Sequence, residues 1–394
     1  AQGSTDVATT VVRASCSFKS NLWALQEQTS GTDTLGIARK YVGSTTTWTA
    51  GGTLQTVTGG PLRALDIIPY KTGMLALVAT NEAANHRTYY STDGVTWTLT
   101  VTDVTAGLLN HTILANEETE LGLLVEVGNE KIAVLWDEDS GTITFFSGTT
   151  LGGAWADEAV DIPSGNGPQG VAVFKDSDGV TYLWVGTREG LWRVDTAPAT
   201  WVATKVLDVP AHNDNFRRMT MHQGTLWFGV GVDNSTPAPI WTFTPSSGGI
   251  YVVDQTKGLD QDDGVTAEML GPVRWMKSSG RYLFISMGGG AASRNARVLA
   301  HNGLGWHTMT RNGTANQQIQ WIDVSADDDG TPRLHFAIRT VSTTSDTQFL
   351  RDPLTNPAAG TAVPREAAAL IDHPEIDGGM PRYNAAWLEV FVDA

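Results

Sequence analysis

A short pattern of apolar runs and turns recurs along the whole chain. Its clearest copy joins an apolar run at 65–70, a turn at 71–73, a second apolar run at 74–79 and an aromatic run that leads to Trp97. Within the runs, apolar and polar residues alternate with a period of two, and Val, Ile, Thr, Trp and Tyr are enriched, as half-buried antiparallel strands require. No long segment has a sustained helical period. The pattern predicts an all-β chain built from repeated groups of short strands.

The spacing of the copies predicts how these groups are arranged. Aligned on their most aromatic run, which we take as the second strand of each unit, the copies begin at Asn21, Met74, Leu121, Val180, Thr225, Arg281 and Pro332. Successive starts lie about 50 residues apart, the length that four strands and their turns need. Seven such units predict a β-propeller, in which closure of the ring protects the strand edges. A ring of six blades with one irregular repeat is the alternative.

The repeats define the expected domain organisation. A seven-bladed β-propeller of four-stranded antiparallel blades is predicted over 5–355, a linker over 356–366, and the first strand of a β-sandwich within a C-terminal segment over 367–394. The seventh unit lacks a clear fourth strand, and residues 5–10 are expected to supply it and so close the ring. The blades are expected near 11–52, 62–102, 112–150, 168–208, 216–256, 272–312 and 318–355.

Composition and charge exclude several classes of function. The 394 residues carry a net charge of −16 without a basic cluster, whereas a nucleic-acid partner needs a positive patch. No apolar run reaches the ~20 residues of a membrane-spanning helix. The single cysteine, Cys16, excludes an intrachain disulfide and is expected to be buried and inert. We therefore expect neither a nucleic-acid partner nor a membrane span.

One turn carries a recognisable motif. The run from Ser91 through Asp93, Gly94 and Thr96 to Trp97 resembles the Asp-box, S-x-D-x-G-x-T-W in its usual and shortened forms. In such a turn the aspartate accepts hydrogen bonds from turn amides, the glycine takes a positive φ and the tryptophan packs between blades. Asp-boxes occur in sialidases, other glycosidases, sorting receptors and viral adhesins, away from their active sites. These five residues are therefore expected to be structural.

An enzyme of the sialidase type is the first alternative to a structural role. Such an enzyme needs an arginine cluster for the substrate carboxylate, and Arg63, Arg218, Arg274 and Arg281 are the candidates. A distinctive tyrosine nucleophile with acidic partners is missing from the sequence. Convergence of Arg63, Arg218 and Arg274 at one channel mouth, with an acidic residue within reach, would favour the enzyme.

Other catalytic and metal-binding patterns are weak. Asp66 and Asp323 lie in predicted first strands, where paired carboxylates could serve a glycosidase, but no second feature selects them. The acidic turns at Asp176-Ser177-Asp178 and at 327–329 could hold calcium, yet they lack the closing carboxylate of a calcium loop. The eight histidines have no ligand-like spacing. The sequence therefore assigns no catalytic, cofactor-binding or metal-binding residue and favours a non-enzymatic protein.

The end of the chain suggests a family. The phrase Asp-Gly-Gly-Met-Pro at 377–381, followed by a polar stretch and Trp-Leu-Glu-Val-Phe-Val at 387–392, resembles a junction in structural proteins of tailed-phage virions, where a propeller-like region precedes a β-sandwich. The resemblance implies a tail or baseplate component located in the virion, with other virion proteins and copies of itself as partners. A secreted bacterial lectin-like propeller, located outside the cell, is the second alternative.

Two aromatic residues are candidates for binding a ligand. Loops on the flat face of a propeller suit binding to a host glycan or a protein surface. Trp155 and Trp201 lie in loop-like contexts, where their rings could stack on sugar faces. Packing between blades is the alternative role for both.

Overall fold

A computed structural model describes residues 2–354 of the chain. The parts of this range left undescribed are 5–9, 31, 43–46, 50, 59–61, 81–85, 103–121, 129, 138–141, 150, 152–154, 164–166, 199, 234–235, 247–248, 258–269, 289–295, 304, 312–316, 327–331 and 341–345. Within the described residues there is no helix, and hence none long and apolar enough to cross a membrane. The predicted linker and C-terminal segment lie outside them.

Seven antiparallel sheets form the blades of a propeller. Blades 1 to 3 contain β2 (Thr10–Phe18), β3 (Asn21–Ser30), β4 (Asp33–Val42), β5 (Thr47–Trp48) and β6 (Gly52–Thr58); β7 (Leu62–Tyr70), β8 (Gly73–Thr80), β9 (His86–Ser91) and β10 (Thr98–Thr102); and β11 (Gly122–Glu126), β12 (Ile132–Asp137), β13 (Thr142–Gly148) and β14 (Ala156–Pro163). Blades 4 and 5 contain β15 (Gly170–Lys175), β16 (Thr181–Thr187), β17 (Gly190–Asp195) and β18 (Val202–Asp208); and β19 (Thr220–His222), β20 (Thr225–Gly229), β21 (Ile240–Ser246) and β22 (Ile250–Asp254). Blades 6 and 7 contain β23 (Val273–Ser279), β24 (Tyr282–Gly288), β25 (Ala296–His301) and β26 (Trp306–Arg311); and β27 (Gln317–Ala326), β28 (Pro332–Thr340), β29 (Asp346–Pro353) and β1 (Gln2–Ser4).

The first strands of the blades line the centre of the ring. Strands β2, β7, β11, β15, β19, β23 and β27 each pack against the next, and β27 packs back against β2. The sheets are four-stranded, with the short β5 as an addition to blade 1. The predicted fold class is therefore confirmed, with seven blades rather than six.

The ring is closed by the start of the chain. Strand β1 pairs antiparallel with β29, so that Gln2, Gly3 and Ser4 lie opposite Arg351, Leu350 and Phe349. The fourth strand of blade 7 thus comes from the N-terminal side of blade 1, as expected, but from residues earlier than the predicted 5–10. Of that predicted segment, Thr10 begins β2 and residues 5–9 lie outside the described residues.

One repeat was aligned wrongly from the sequence. The run that begins at Leu121 was taken as a second strand, but β11 is the first strand of blade 3 and contacts the first strands β7 and β15. Second strands of most other blades carry an aromatic residue, and in blade 3 the corresponding residue is Trp136, which belongs to β12. Since first and second strands of a propeller are both buried on two faces, an apolar run does not distinguish them.

The core lies between the blades. Trp184 of blade 4 stacks on Phe174 at 4.5 Å between ring centroids and meets Phe243 of blade 5 edge-on at 5.2 Å. A second core region joins blades 5 and 6, where Trp227 packs among Met276, Leu283 and other side chains. Each large aromatic side chain buries about 150–250 Å², so these boundaries supply much of the stability of a chain with no disulfide. Cys16 is free and buried, as expected.

Candidate functional site at the centre of the ring

Four of the inner strands carry an irregularity in similar places. The pairing register with the second strand shifts across Arg13 in β2, Leu65 in β7, Arg274 in β23 and Gln320 in β27. A bulge turns the following side chains to a new direction and is frequent beside functional sites. Charged residues of these strands consequently reach toward the ring centre and toward neighbouring blades.

An arginine crosses the centre of the ring. Arg218 precedes β19 of blade 5, yet its Nη1 lies 3.4 Å from Oδ1 of Asp66 in β7 of blade 2. Its Nη2 donates to the carbonyl oxygen of Leu65 at 3.4 Å, and the guanidinium lies 4.3 Å from the ring centroid of Trp275 in blade 6. Asp66 also accepts a hydrogen bond from the backbone N–H of Leu124 in blade 3, at 3.0 Å. One side chain therefore links blades on opposite sides of the ring.

The backbone that presents Arg218 is conformationally costly. Phe216 and Arg218 have φ angles of 56° and 49°, in the left-handed region, which costs about 1–3 kcal/mol for a residue other than glycine. Two backbone hydrogen bonds of 2.9 Å stabilise the turn. The N–H of Phe216 donates to the carbonyl oxygen of Gly229, and the N–H of Arg218 donates to the carbonyl oxygen of Gln169. Phe216 also packs so closely on Gly186 that a Cβ there would lie 2.3 Å from the Cβ of Phe216. Surrounding contacts thus fix the position of Arg218.

A second charged pair lies beside the first. The Nζ of Lys277 in β23 is 2.7 Å from Oδ1 of Asp323 in β27, whose side chain is only 1% exposed. Ser15 donates a hydrogen bond to Oδ2 of Asp323 and accepts one from Nε1 of Trp321 at 2.9 Å. Burial opposes the charge on Lys277, but the attraction of Asp323 prevails and raises its pKa. Burial, reinforced by the charge of Asp323, also raises the pKa of Cys16, so this thiol stays protonated and inert.

Two further buried carboxylates each hold two arginines. Oε2 of Glu27 in β3 lies 3.1 Å from both Arg13 and Arg63, and its Oε1 accepts a hydrogen bond from the N–H of Ala64 at 3.0 Å. Burial alone would raise the pKa of Glu27; the two guanidinium groups lower it below its usual value. Glu27 is therefore ionised and ties blade 1 to blade 2.

The equivalent cluster near blades 5 and 6 is built on Asp214. Its Oδ1 lies 3.0 Å from Arg217 and 2.8 Å from Arg274, and its Oδ2 lies 3.8 Å from Nδ1 of His212. Burial opposes ionisation, and the charges of Arg274 and Arg217 lower the pKa of Asp214 in spite of it. The turn before β19 is thus joined to blade 6 by a charged contact.

Three arginines of the enzyme alternative each bind a carboxylate in a different part of the fold. Arg63 binds Glu27, Arg218 binds Asp66 and Arg274 binds Asp214. These three partners belong to different blades or turns, and the distances join each arginine to its own partner. The remaining candidate, Arg281, lies in the turn before β24 and donates to the hydroxyl of Tyr282 at 2.7 Å.

The sequence analysis missed several members of these charged clusters. Glu27, Asp214 and Lys277 were not singled out, although each holds a charge in a buried network. Glu27 and Lys277 carried a usable signal, because each is a charged residue close behind a mostly apolar run of its strand. Asp214 lies in a polar loop, and only the three-dimensional structure brings it to Arg274.

The turn at 91–97 is organised by one serine and one aspartate. Oγ of Ser91 accepts a hydrogen bond from the N–H of Gly94 at 2.7 Å, and Oδ1 of Asp93 accepts from the N–H groups of Val95 and Thr96 at 2.8 Å. These hydrogen bonds, from Thr96 first and then Val95, lower the pKa of Asp93 to about 2. The carboxylate therefore stays ionised and shapes the turn.

The same turn packs on the neighbouring blade. Gly94 has a φ of 76°, and a Cβ at this position would lie 2.1 Å from ring atoms of Trp23 in blade 1. Nε1 of Trp97 donates to the carbonyl of Gly94 at 2.9 Å, and its ring packs on the core between blades 1 and 2. Lys19 of blade 1 adds a hydrogen bond to the carbonyl of Thr92 at 3.0 Å. The turn therefore joins two blades.

Trp155 and Trp201 lie in the core. Trp155 is 4% exposed and packs with Tyr70 and Leu75 of blade 2, whereas Trp201 is 2% exposed and meets Phe145 of blade 3 edge-on at 5.8 Å. Neither ring presents a face to solvent, so neither is available to stack on a sugar in this structure. Packing between blades, the alternative role, accounts for both positions.

The acidic turn at 176–178 is occupied by protein groups. Asp176 forms a salt bridge with Arg193 and accepts a hydrogen bond from the hydroxyl of Tyr251 in blade 5 at 3.0 Å. Asp178 accepts hydrogen bonds from the hydroxyl of Tyr182 at 2.7 Å and from the N–H of Val180 at 2.8 Å. Among the described residues, no group of three or more His, Cys, Asp or Glu could hold a metal ion. The other acidic turn, at 327–329, lies outside them.

Comparisons with known proteins identify the fold alone. No protein-family model matches the chain, and no curated protein matches it. A chain in a crystal structure of the mitotic checkpoint complex has a TM-score of 0.52 and 11% identity, with 88% of this chain and 95% of that chain covered. A protein from Lactobacillus plantarum has a TM-score of 0.50 and 11% identity, with 77% and 85% covered. A lectin from Aleuria aurantia is more distant, with a TM-score of 0.45, 13% identity and 78% and 96% covered.

Proposed function

We propose that the chain is a non-enzymatic structural protein of a phage virion, a component of a tail or baseplate that presents a propeller face to a host surface. One observation carries the non-enzymatic part of this proposal. The charged groups described at the ring centre bind one another, with Arg218 on Asp66 and Lys277 on Asp323. A catalytic carboxylate needs a substrate within reach, and these two are occupied by cations of the same chain.

The virion part of the proposal rests on the sequence. The resemblance to virion junction proteins lies at 377–392, outside the described residues. We further propose that the turn at 91–97 is an Asp-box, because its aspartate accepts backbone hydrogen bonds and its tryptophan packs at a blade boundary. In this proposal other virion proteins and copies of the same chain are the partners, and a host glycan or protein is the ligand of the exposed loops.

Analysis of native particles tests the virion proposal. Mass spectrometry of purified particles is expected to detect the chain at a fixed stoichiometry, and electron microscopy is expected to show a seven-bladed ring repeated around the particle axis. Recovery of the chain as a free soluble protein, without particles, would contradict the proposal and favour a secreted lectin-like propeller.

A hydrolysis assay tests the enzyme alternative. Incubation of the protein with aryl glycosides, sialosides included, is expected to release no phenol above the buffer rate. The non-enzymatic proposal would be overturned by phenol release that the Asp66→Asn substitution abolishes and that the Asp195→Asn substitution leaves intact. Asp195 is a suitable control because it caps a turn of blade 4, where its Oδ1 accepts a hydrogen bond from the N–H of Ala197 at 3.0 Å.

A further inference from the structure

Two histidines flank one tryptophan at the boundary between blades 5 and 6. His222 of β19 lies 6.0 Å from the ring centroid of Trp227 in β20, and His301 of β25 lies 5.1 Å from the same ring. His301 also meets Trp306 of β26, at 4.9 Å. His222 is 2% exposed and His301 is 7% exposed. Two groups that can gain a positive charge are therefore buried among aromatic rings at one blade boundary.

The hydrogen bonds of both rings suit the neutral form. Nδ1 of His301 accepts a hydrogen bond from the N–H of Gly303 at 3.2 Å, which requires that this nitrogen carry no proton. Nδ1 of His222 lies 2.9 Å from Oγ of Ser278, and its Nε2 is buried with no hydrogen-bond partner in the described part of the chain. Protonation would break the Gly303 hydrogen bond and would leave a buried charge on His222 without an acceptor at Nε2.

Among the described residues, the charged groups around the pair are mostly cationic. Lys257, in the segment after β22, contributes its backbone carbonyl to Nε1 of Trp306 at 2.9 Å, and its charge opposes protonation of His301. His307 of β26 acts in the same direction. A described carboxylate near Lys257, that of Asp254, lies 3.3 Å from Nζ of Lys257 and also accepts hydrogen bonds from Thr256. Arg281, in the turn before β24, lies over the ring of Tyr282.

We propose that the boundary between blades 5 and 6 is an acid-sensitive joint, in which protonation of His222 and His301 separates β20 from the strands of blade 6. Two like charges on either side of Trp227 would repel one another in a region of low dielectric constant. The contact around Trp227 holds because both rings are neutral, whereas the separate ion pair of Asp214 with Arg274 at the same boundary does not depend on them. Acidification therefore weakens this histidine contact before it weakens an ion pair such as that of Arg193 with Asp176.

The direction of the pH effect follows from burial. Burial lowers the pKa of His222, and burial together with the charge of His222 lowers the pKa of His301 to about 4. The unfolded histidines take up protons near their ordinary value of about 6.5, so they bind protons before the folded ones do. The contribution of the pair to stability is complete above about pH 6.5 and is lost as the pH falls toward 4.

Hydrogen exchange on the full chain tests the joint. Between about pH 7 and pH 5, exchange corrected for its intrinsic pH dependence is expected to rise by about tenfold or more in peptides from β20 and β25. Peptides from β8 of blade 2 are expected to change much less. An equal rise in all blades would overturn the proposal.

Replacement of each histidine by a side chain that cannot be protonated provides the matched variants. Asn can accept a hydrogen bond in place of the imidazole Nδ1, so His222→Asn with His301→Asn is expected to remove the acid-dependent rise in β20 and β25. His307→Asn, at an exposed position of the same blade, is the control and is expected to leave it intact. An acid response that persists in the double variant contradicts the proposal.

A second measurement does not depend on folding of the variants. Nuclear magnetic resonance of the wild-type chain labelled at histidine is expected to show two rings that stay neutral well below the ordinary titration range. If all eight histidines titrate near their ordinary value of about 6.5, the joint does not exist.

Discussion

Blade 5 contacts its two neighbours through one charged cluster and one neutral cluster of buried side chains. Toward blade 4, the hydroxyl of Tyr251 and the guanidinium of Arg193 both bind the carboxylate of Asp176, whose side chain is 2% exposed. Toward blade 6, His222 and His301 flank Trp227. The first cluster contains a charge with its counter-charge, and the second contains groups that stay neutral, apart from the separate ion pair of Asp214 with Arg274 at the same boundary. Neighbouring blades can therefore be joined by a buried charge with its counter-charge or by buried neutral groups, and the two kinds of contact are expected to respond differently to pH.

The largest effect is expected from the aromatic residues that both boundaries contain. Trp184→Ala at the blade 4–5 boundary and Trp227→Ala at the blade 5–6 boundary are each expected to lower the free energy of unfolding by about 3–5 kcal/mol, because each removes a buried indole and leaves a cavity. Urea denaturation measures both. Trp192→Ala, at a half-buried position of β17, serves as the control and should cost clearly less.

The charged boundary can be broken selectively. Arg193→Met leaves the buried carboxylate of Asp176 without its cation and is expected to lower the free energy of unfolding by about 3 kcal/mol. Adding Asp176→Asn should restore part of this loss, because the uncompensated charge is then removed. Thermal unfolding of the two single variants and the double variant measures this coupling; purely additive effects would show that the pair is not coupled.

The pH responses of the two boundaries sharpen the comparison. The hydrogen bond from Arg193 lowers the pKa of Asp176 in spite of its burial, so this pair contributes its stability above the unfolded value of about 3.9 and loses it only as the pH falls through the lower folded pKa. The histidine pair has already lost its contribution to the free energy of unfolding by about pH 4. At about pH 5, hydrogen exchange should therefore be faster in β20 than in β17 relative to neutral pH. The reverse order would refute the comparison.

The smallest effect is expected at one hydroxyl. Tyr251→Phe removes the hydrogen bond to Asp176 at 3.0 Å but keeps the ring, which stacks on Phe243 at 4.9 Å. The expected loss is about 1 kcal/mol, since Arg193 still compensates the carboxylate. Denaturant unfolding resolves this difference. A loss as large as that of Arg193→Met would mean that the hydroxyl, and not the cation, holds the boundary.

Much of the fold could be predicted because it repeats. The alternating runs and their spacing predicted seven four-stranded blades, and a missing last strand predicted closure by the start of the chain. The error at Leu121 arose because a buried first strand and a buried second strand have the same apolar pattern, and only pairing distinguishes β11 from β12. Details of register could not be predicted, because no local sequence pattern marks Arg13 and Arg274 as the residues at which the pairing shifts.

The centre of the ring was less predictable. Asp66 and Arg218 were both candidates, but they are 152 residues apart and meet only because the ring closes and because a left-handed turn places the arginine. The burial of Trp155 and Trp201 was equally hidden, since a tryptophan near a turn has the same sequence context whether it faces solvent or a neighbouring blade. Pairing and burial of these side chains are consequences of closure and could not be derived from local pattern.

The pairing of Gly3 with Leu350 also has a consequence for the order of folding. A ribosome releases the chain from its N-terminus, so the strand that completes blade 7 must wait, unpaired, until nearly the whole propeller has been synthesised. The six preceding blades can assemble on one another during that time, but the open ring exposes an edge at both ends. Completion of the ring is therefore a late, single event, and a delay in synthesis near residue 350 would prolong the period in which those edges can pair with another chain.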